Sequence, residues 1–142
     1  MRALFDVNAL IALHDPDHVH HSRATFWFKS HAGLGWATCP LTQNGCVRIM
    51  SQPGYSGPQP IATVIRTLQG SIQSALHQLW PDDISLLDAA RFQHSLMHGH
   101  RQLTDLYLLG LAVKNNGRLV SFGLRVPTSA VLGATDQHLV IL

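Results

Sequence analysis

Two aspartates far apart in the chain, Asp6 and Asp105, carry the clearest chemical potential in the sequence. Asp6 ends the apolar run Ala3-Leu4-Phe5 and stands directly before residues 7–13, where Val7, Leu10, Ile11 and Leu13 have the spacing of a helix face. Asp105 follows Thr104 at the start of a second, strongly helical run. In open α/β sheets, ligands bind in the crevice outside the carboxyl ends of the strands, so a carboxylate at a strand-to-helix turn is placed for chemistry. Asp6 serves equally well as a plain helix cap. Two carboxylates brought together repel each other unless a cation or a shared proton relieves them. A site with one or two carboxylates and water completing the shell suits Mg²⁺ or Mn²⁺. Such an ion activates water for phosphodiester hydrolysis and screens charge in the transition state. All eight acidic residues are Asp and there is no Glu, so any carboxylate site here is built from Asp.

The elements that must position this pair alternate between strand and helix. Strands are expected at residues 3–5, 36–38, 84–87, 118–122 and 138–142, and helices at 7–13, 18–31, 41–51, 61–79, 89–97 and from Asp105 to the Asn115-Asn116-Gly117 cap. The Pro- and Gly-rich segment 53–60 reads as a connector, and Trp80-Pro81-Asp82-Asp83 as a break. This alternation predicts an α/β fold over residues 1–142, one domain with a mostly parallel sheet of about five strands and helices on both faces. With the third strand at 84–87, Asp82 and Asp83 fall at the end of the sheet away from Asp6. His18, His20 and His21 are close enough to suggest zinc, but with no Cys or Glu beside them they read as a solvated helix start.

Composition narrows the class. Charged residues make up 13% against 46% hydrophobic, a low charge density that points to a surface covered by a partner, either a second copy or another protein. The net charge of +2 and pI near 8.8 permit nucleic-acid binding without requiring it. Cys39 and Cys46 are too few for a disulfide framework and read as thiols in a reducing cytoplasm. Asp6 interrupts the N-terminal apolar stretch, so no signal peptide is expected, and the apolar run 106–113 is far too short to cross a bilayer. No Gly-rich phosphate loop or strand-end Lys accompanies Asp6, which argues against a receiver-like or phosphate-binding domain.

The stretches LFDVNALIALHDPDHVHH, WATCPLTQNGCVRIMS, WPDDISLLD, GHRQLTDLYLLGLAV and GRLVSFG together resemble PIN-domain proteins of the VapC toxin type. The resemblance runs from the first strand to the fourth. It implies a PIN-like three-layer sandwich and a Mg²⁺- or Mn²⁺-dependent endoribonuclease. It also implies a homodimer that a cognate antitoxin holds inactive by laying its tail in the active-site groove. Asp6 matches the first acidic position of the family and Asp105 the acidic position of its TD element. Gln43 stands where Glu is common, and Gly123 where Asp is common in a TFD or SFD element.

A four-carboxylate pattern is thereby reduced to two, which neutralise one divalent ion; an RNA phosphate would have to complete any second site. Within this reading Asp6 and Asp105 are catalytic metal ligands, and Gln43 offers a neutral carbonyl oxygen. Thr104 or Ser121 holds a water, and Asn8 orients Asp6 by a hydrogen bond. Arg48, His100, Arg101 and Arg125 are the candidates for phosphate contacts. The competing reading is a degenerate PIN module that pairs with an antitoxin or RNA without cutting.

Overall fold

The computed structural model describes residues 1–123 and 126–142. Its centre is a five-stranded sheet in the order β3-β2-β1-β4-β5, with every neighbouring pair parallel. The strands are β1 (Ala3–Phe5), β2 (Trp36–Thr38), β3 (His77–Leu79), β4 (Arg118–Ser121) and β5 (Leu139–Ile141). The helices are α1 (Val7–His14), α2 (His21–His31), α3 (Pro40–Ser51), α4 (Ile61–Ser71) and α5 (Leu103–Lys114). The α/β class, the five strands and the parallel pairing agree with the sequence reading.

Strand alternation sorts the core into two layers. Leu4, Ala37 and Leu119 face one side of the sheet and pack with Leu106, Leu108, Leu109 and Leu111 of α5. Ala3, Phe5 and Val120 face the other, against Leu10 of α1, Cys46 and Met50 of α3, and Val64 and Leu68 of α4. β1 is buried on both faces, as expected for the central strand of a parallel sheet. Both cysteines are free and buried.

Three expected elements are corrected. The helix predicted for 61–79 ends at Ser71, and the chain then turns and adds residues 77–79 to the sheet edge as β3. The apolar spacing beyond Ser71 continued without a helix to carry it, and a polar edge strand gives no alternation to read. With β3 at His77–Leu79, the segment 84–87 is not a strand; Ile84 and Leu86 pack singly against the α5 layer. Of the helix expected at 89–97 only a 3₁₀ turn at His94–Leu96 forms.

Two boundaries move as well. α2 begins at His21 because residues 18–20 form a turn in which the His18 ring accepts the His20 N–H, 3.0 Å away. At the end of α5, Asn116 takes the left-handed conformation (φ 54°). Gly117 follows it for lack of space: a β-carbon there would lie 2.5 Å from the Trp80 ring and 2.6 Å from the Arg2 carbonyl oxygen. Among the described residues no helix is long and apolar enough to cross a membrane.

Candidate active site

Asp6 leaves the sheet at the end of β1, where its N–H donates to the Val120 carbonyl at 3.0 Å and so stays in register with β4. Its extended backbone (ψ 173°) caps α1, and Oδ1 accepts the Ala9 N–H at 2.7 Å. The Ser121 hydroxyl, at the end of β4, lies near enough to the Asp6 carboxylate to favour its ionised form. Ser121 Oγ in turn accepts the Gly123 N–H at 2.8 Å. The residue that caps α1 therefore also lines the pocket at this end of the sheet.

Asp105 enters from the first turn of α5. The two carboxylates share a pocket of about 260 Å³ with Asn8, Arg48, Arg101 and Thr104, walled by Val7, Ile49 and Leu108. α1 reaches this position because Gly45 of α3 lets it approach: a β-carbon at Gly45 would lie 2.7 Å from a Val7 methyl.

Burial dominates the electrostatics. It pushes the Asp6 carboxyl up to about 6, and repulsion from Asp105 adds to the shift, while the bonds from Ser121 and Ala9 oppose it. Burial also raises Asp105. A pair of anionic oxygens in a partly dry pocket, each held above the ordinary carboxylate range, is relieved either by protons or by a hard cation. Among the described residues no group of three or more His, Cys or Asp side chains is placed to hold a metal. The two carboxylates, Asp6 and Asp105, carry the charge that one divalent ion would neutralise.

Of the residues expected at the site, Asp6, Asp105, Asn8, Arg48, Arg101 and Thr104 line this one pocket, and Ser121, outside the lining, acts on Asp6. Asn8 does not orient Asp6; that part falls to Ser121 and the Ala9 N–H. Gln43 is not among the lining residues. It borders a groove of about 410 Å³ between α3 and α4, and its amide donates to Thr38 Oγ1 at 3.0 Å. His100 sits in an exposed 3₁₀ turn off the pocket wall. Arg125 lies outside the described residues.

Asp82 follows β3, so it stands at the same end of the sheet as Asp6 and not the opposite one. Its carboxylate is engaged by the Leu41 N–H at 2.8 Å and the Tyr107 hydroxyl at 2.9 Å, and Asp83 pairs with Lys114. The brace through Ser121 and the contact of Gly45 with Val7 gave no sequence signal.

Known proteins supply the family. Ribonuclease VapC44 of Mycobacterium tuberculosis is 46% identical over 142 residues, the whole of both chains. Ribonuclease VapC39 of the same organism is 39% identical over 137 residues, 96% of this chain and 99% of its own. This chain belongs to the VapC ribonuclease family. A third VapC, Ribonuclease VapC38 of that organism, is 41% identical over 135 residues, 90% of this chain and 89% of its own. No family model matches the chain. The parallel five-stranded sheet between helical layers is accordingly the PIN-like fold of a VapC, with Asp6 and Asp105 at its carboxyl end.

Proposed function

We propose that this chain is a single PIN-like domain and the ribonuclease toxin of a toxin-antitoxin pair, cutting RNA phosphodiester bonds at Asp6 and Asp105. The observation that carries this reading is the pocket itself: two raised carboxylates from opposite ends of the chain converge there with two arginines. Asp6 and Asp105 would hold one Mg²⁺ or Mn²⁺, which when bound supplies a polarised water and neutralises charge on the phosphate.

The chain's own groups do the rest. Ser121 and the Ala9 N–H favour the ionised form of Asp6, so that it binds a cation at neutral pH in place of a proton. Arg48 and Arg101 bind the scissile phosphate and set it against the carboxylates. The Thr104 hydroxyl offers a hydrogen bond to a water in the same pocket. Gln43 takes no part in the step, since it lines the groove between α3 and α4 and not this pocket.

We further propose that the protein acts in the cytoplasm as a homodimer restrained by a cognate antitoxin. The low charge density, the exposed apolar side chains Phe26, Ile61 and Leu87, and the two free thiols support this. The deciding experiment is Mn²⁺ calorimetry on the purified protein and on Asp6→Asn, with an RNA cleavage assay in parallel. Binding and cleavage that both vanish in Asp6→Asn support the reading; cleavage that persists in EDTA overturns it. Light scattering that gives the mass of a single chain overturns the homodimer.

A further inference from the structure

The histidines before α2 have a use that a solvated helix start does not provide. α2 runs antiparallel to β4. At its head the His20 ring stacks on Phe122, just beyond β4, with ring centroids 4.7 Å apart and planes at 27°. Two turns later Trp27 takes the guanidinium of Arg118, the first residue of β4, at 4.9 Å. The head of α2 therefore lies at the carboxyl end of the sheet, the end that holds Asp6 and Asp105. Phe122 joins the stack to the segment that leaves β4 at that end, between Ser121 and Gly123, where a β-carbon on Gly123 would stand 3.4 Å from Asp105 Oδ2.

Two more flat side chains border this stack, His18 tilted at 47° to His20 and Arg23 beside Phe122. The His18 ring lies 5.7 Å from that of His20, and the Arg23 guanidinium carbon lies 6.0 Å from the Phe122 centroid. His18, His20 and Phe122 are half-buried and Arg23 is exposed, so the ladder borders solvent instead of closing a core. Neither ring nitrogen of His20 has a hydrogen-bond partner among the described residues. The first turn of α2 carries no acidic residue, and the nearby Asp15 carboxylate is taken by the Tyr55 hydroxyl and the Asp17 N–H.

Aromatic and guanidinium planes beside positive charge, with free hydrogen-bonding edges, are what unpaired bases of single-stranded RNA stack on and bond to. The anionic backbone of that strand complements Arg23 and the head of α2. We infer that His18, His20, Arg23 and Phe122 form a nucleotide subsite that takes a base of single-stranded RNA beside the bond being cut. This rests on the ribonuclease reading above for the identity of the polymer.

The test uses the full chain and a labelled single-stranded RNA oligonucleotide with one abasic position moved along it. Binding is read by fluorescence anisotropy in EDTA, and cleavage separately with Mn²⁺. One abasic position is expected to weaken wild-type binding about tenfold. His20→Ala should lose about tenfold on intact RNA and become insensitive to that abasic position, whereas His20→Phe, which keeps a flat ring but not the ring nitrogens, should lose less than His20→Ala and stay sensitive to that position. Arg23→Ala, at an exposed position, provides a second variant whose fold is not at stake, and should also weaken binding.

A flat abasic scan, or wild-type affinity in both His20→Ala and Arg23→Ala, overturns the subsite. If cleavage with Mn²⁺ persists alongside that flat scan, the ribonuclease reading stands while the subsite falls. An abasic signature without any cleavage does the reverse.

Discussion

A β-carbon built on Gly123 would stand 3.4 Å from Asp105 Oδ2 and 3.0 Å from Ser121 Oγ. Position 123 thus belongs to the site although it contributes no side chain. Its backbone is not left-handed, unlike that of Gly35, Gly57 and Gly133, so a side chain is compatible once Ser121 yields by a few tenths of an ångström. Gly123→Asp should bring a third carboxylate beside Asp105, raising Mn²⁺ affinity on the order of tenfold in calorimetry. The same variant should melt below wild type in EDTA, because three carboxylates then repel one another without a cation.

Asp6 has two duties that substitution separates. Asp6→Asn keeps an oxygen for the Ala9 N–H and removes the charge, so cleavage should fall by about a hundredfold or more while the metal-free fold remains intact. Asp6→Ala loses the cap too and should lower stability by about 1 kcal/mol beyond Asp6→Asn in urea denaturation. Equal cleavage by wild type and Asp6→Asn would remove Asp6 from the chemistry.

The raised Asp6 carboxyl makes stability depend on pH in a defined direction. Its ordinary value of 3.8 becomes about 6 in the fold, so the native state binds the proton more tightly than the unfolded chain. That contribution is full below about 3.8 and is lost as pH rises through about 6, on the order of 3 kcal/mol in all. In EDTA the stability of wild type relative to Asp6→Asn should therefore decline from pH 4 to 7. Mn²⁺ competes with the same proton, so its stabilisation should be large at pH 7.5 and small at pH 5. Thermal denaturation of both proteins with and without Mn²⁺ reads all of these effects.

Ser121, with the Ala9 N–H, keeps Asp6 from rising further. Ser121→Ala removes the hydroxyl that favours the ionised carboxylate and leaves the Gly123 N–H without its acceptor. The loss should lower stability by about 1–3 kcal/mol and move the acid limb of Mn²⁺ binding to higher pH. A purely structural serine would lower stability and leave that limb in place. Ser121→Thr, which retains the hydroxyl, should restore it.

Gly45 sets how closely α1 and α3 approach, and Val7 carries that spacing into the pocket wall. Gly45→Ala drives a β-carbon to 2.7 Å from the Val7 side chain and should destabilise by about 1–3 kcal/mol. Because Val7 adjoins Asp6, Mn²⁺ affinity should fall as well. Val7→Ala in the same chain should recover part of both losses.

The sequence alone was enough for the α/β class, the strand at residues 3–5, the first helix, and the place of Asp6 and of Asp105 each at a junction into a helix. Each of these is a local pattern: a short apolar run, a helical spacing, a carboxylate at a junction. Only the tertiary structure decided which end of the sheet holds Asp82, because β3 is a polar edge strand whose pairing with Trp36–Thr38 comes from a neighbour distant in sequence. The fate of Gln43 was decided in the same way, since the Thr38 hydroxyl that engages its amide lies on β2. So was the place of His20, which meets Phe122 across a hundred-residue separation that no local spacing encodes. Periodicity reports the face a residue presents, whereas a site depends on which faces meet, and that is settled by packing across the whole chain.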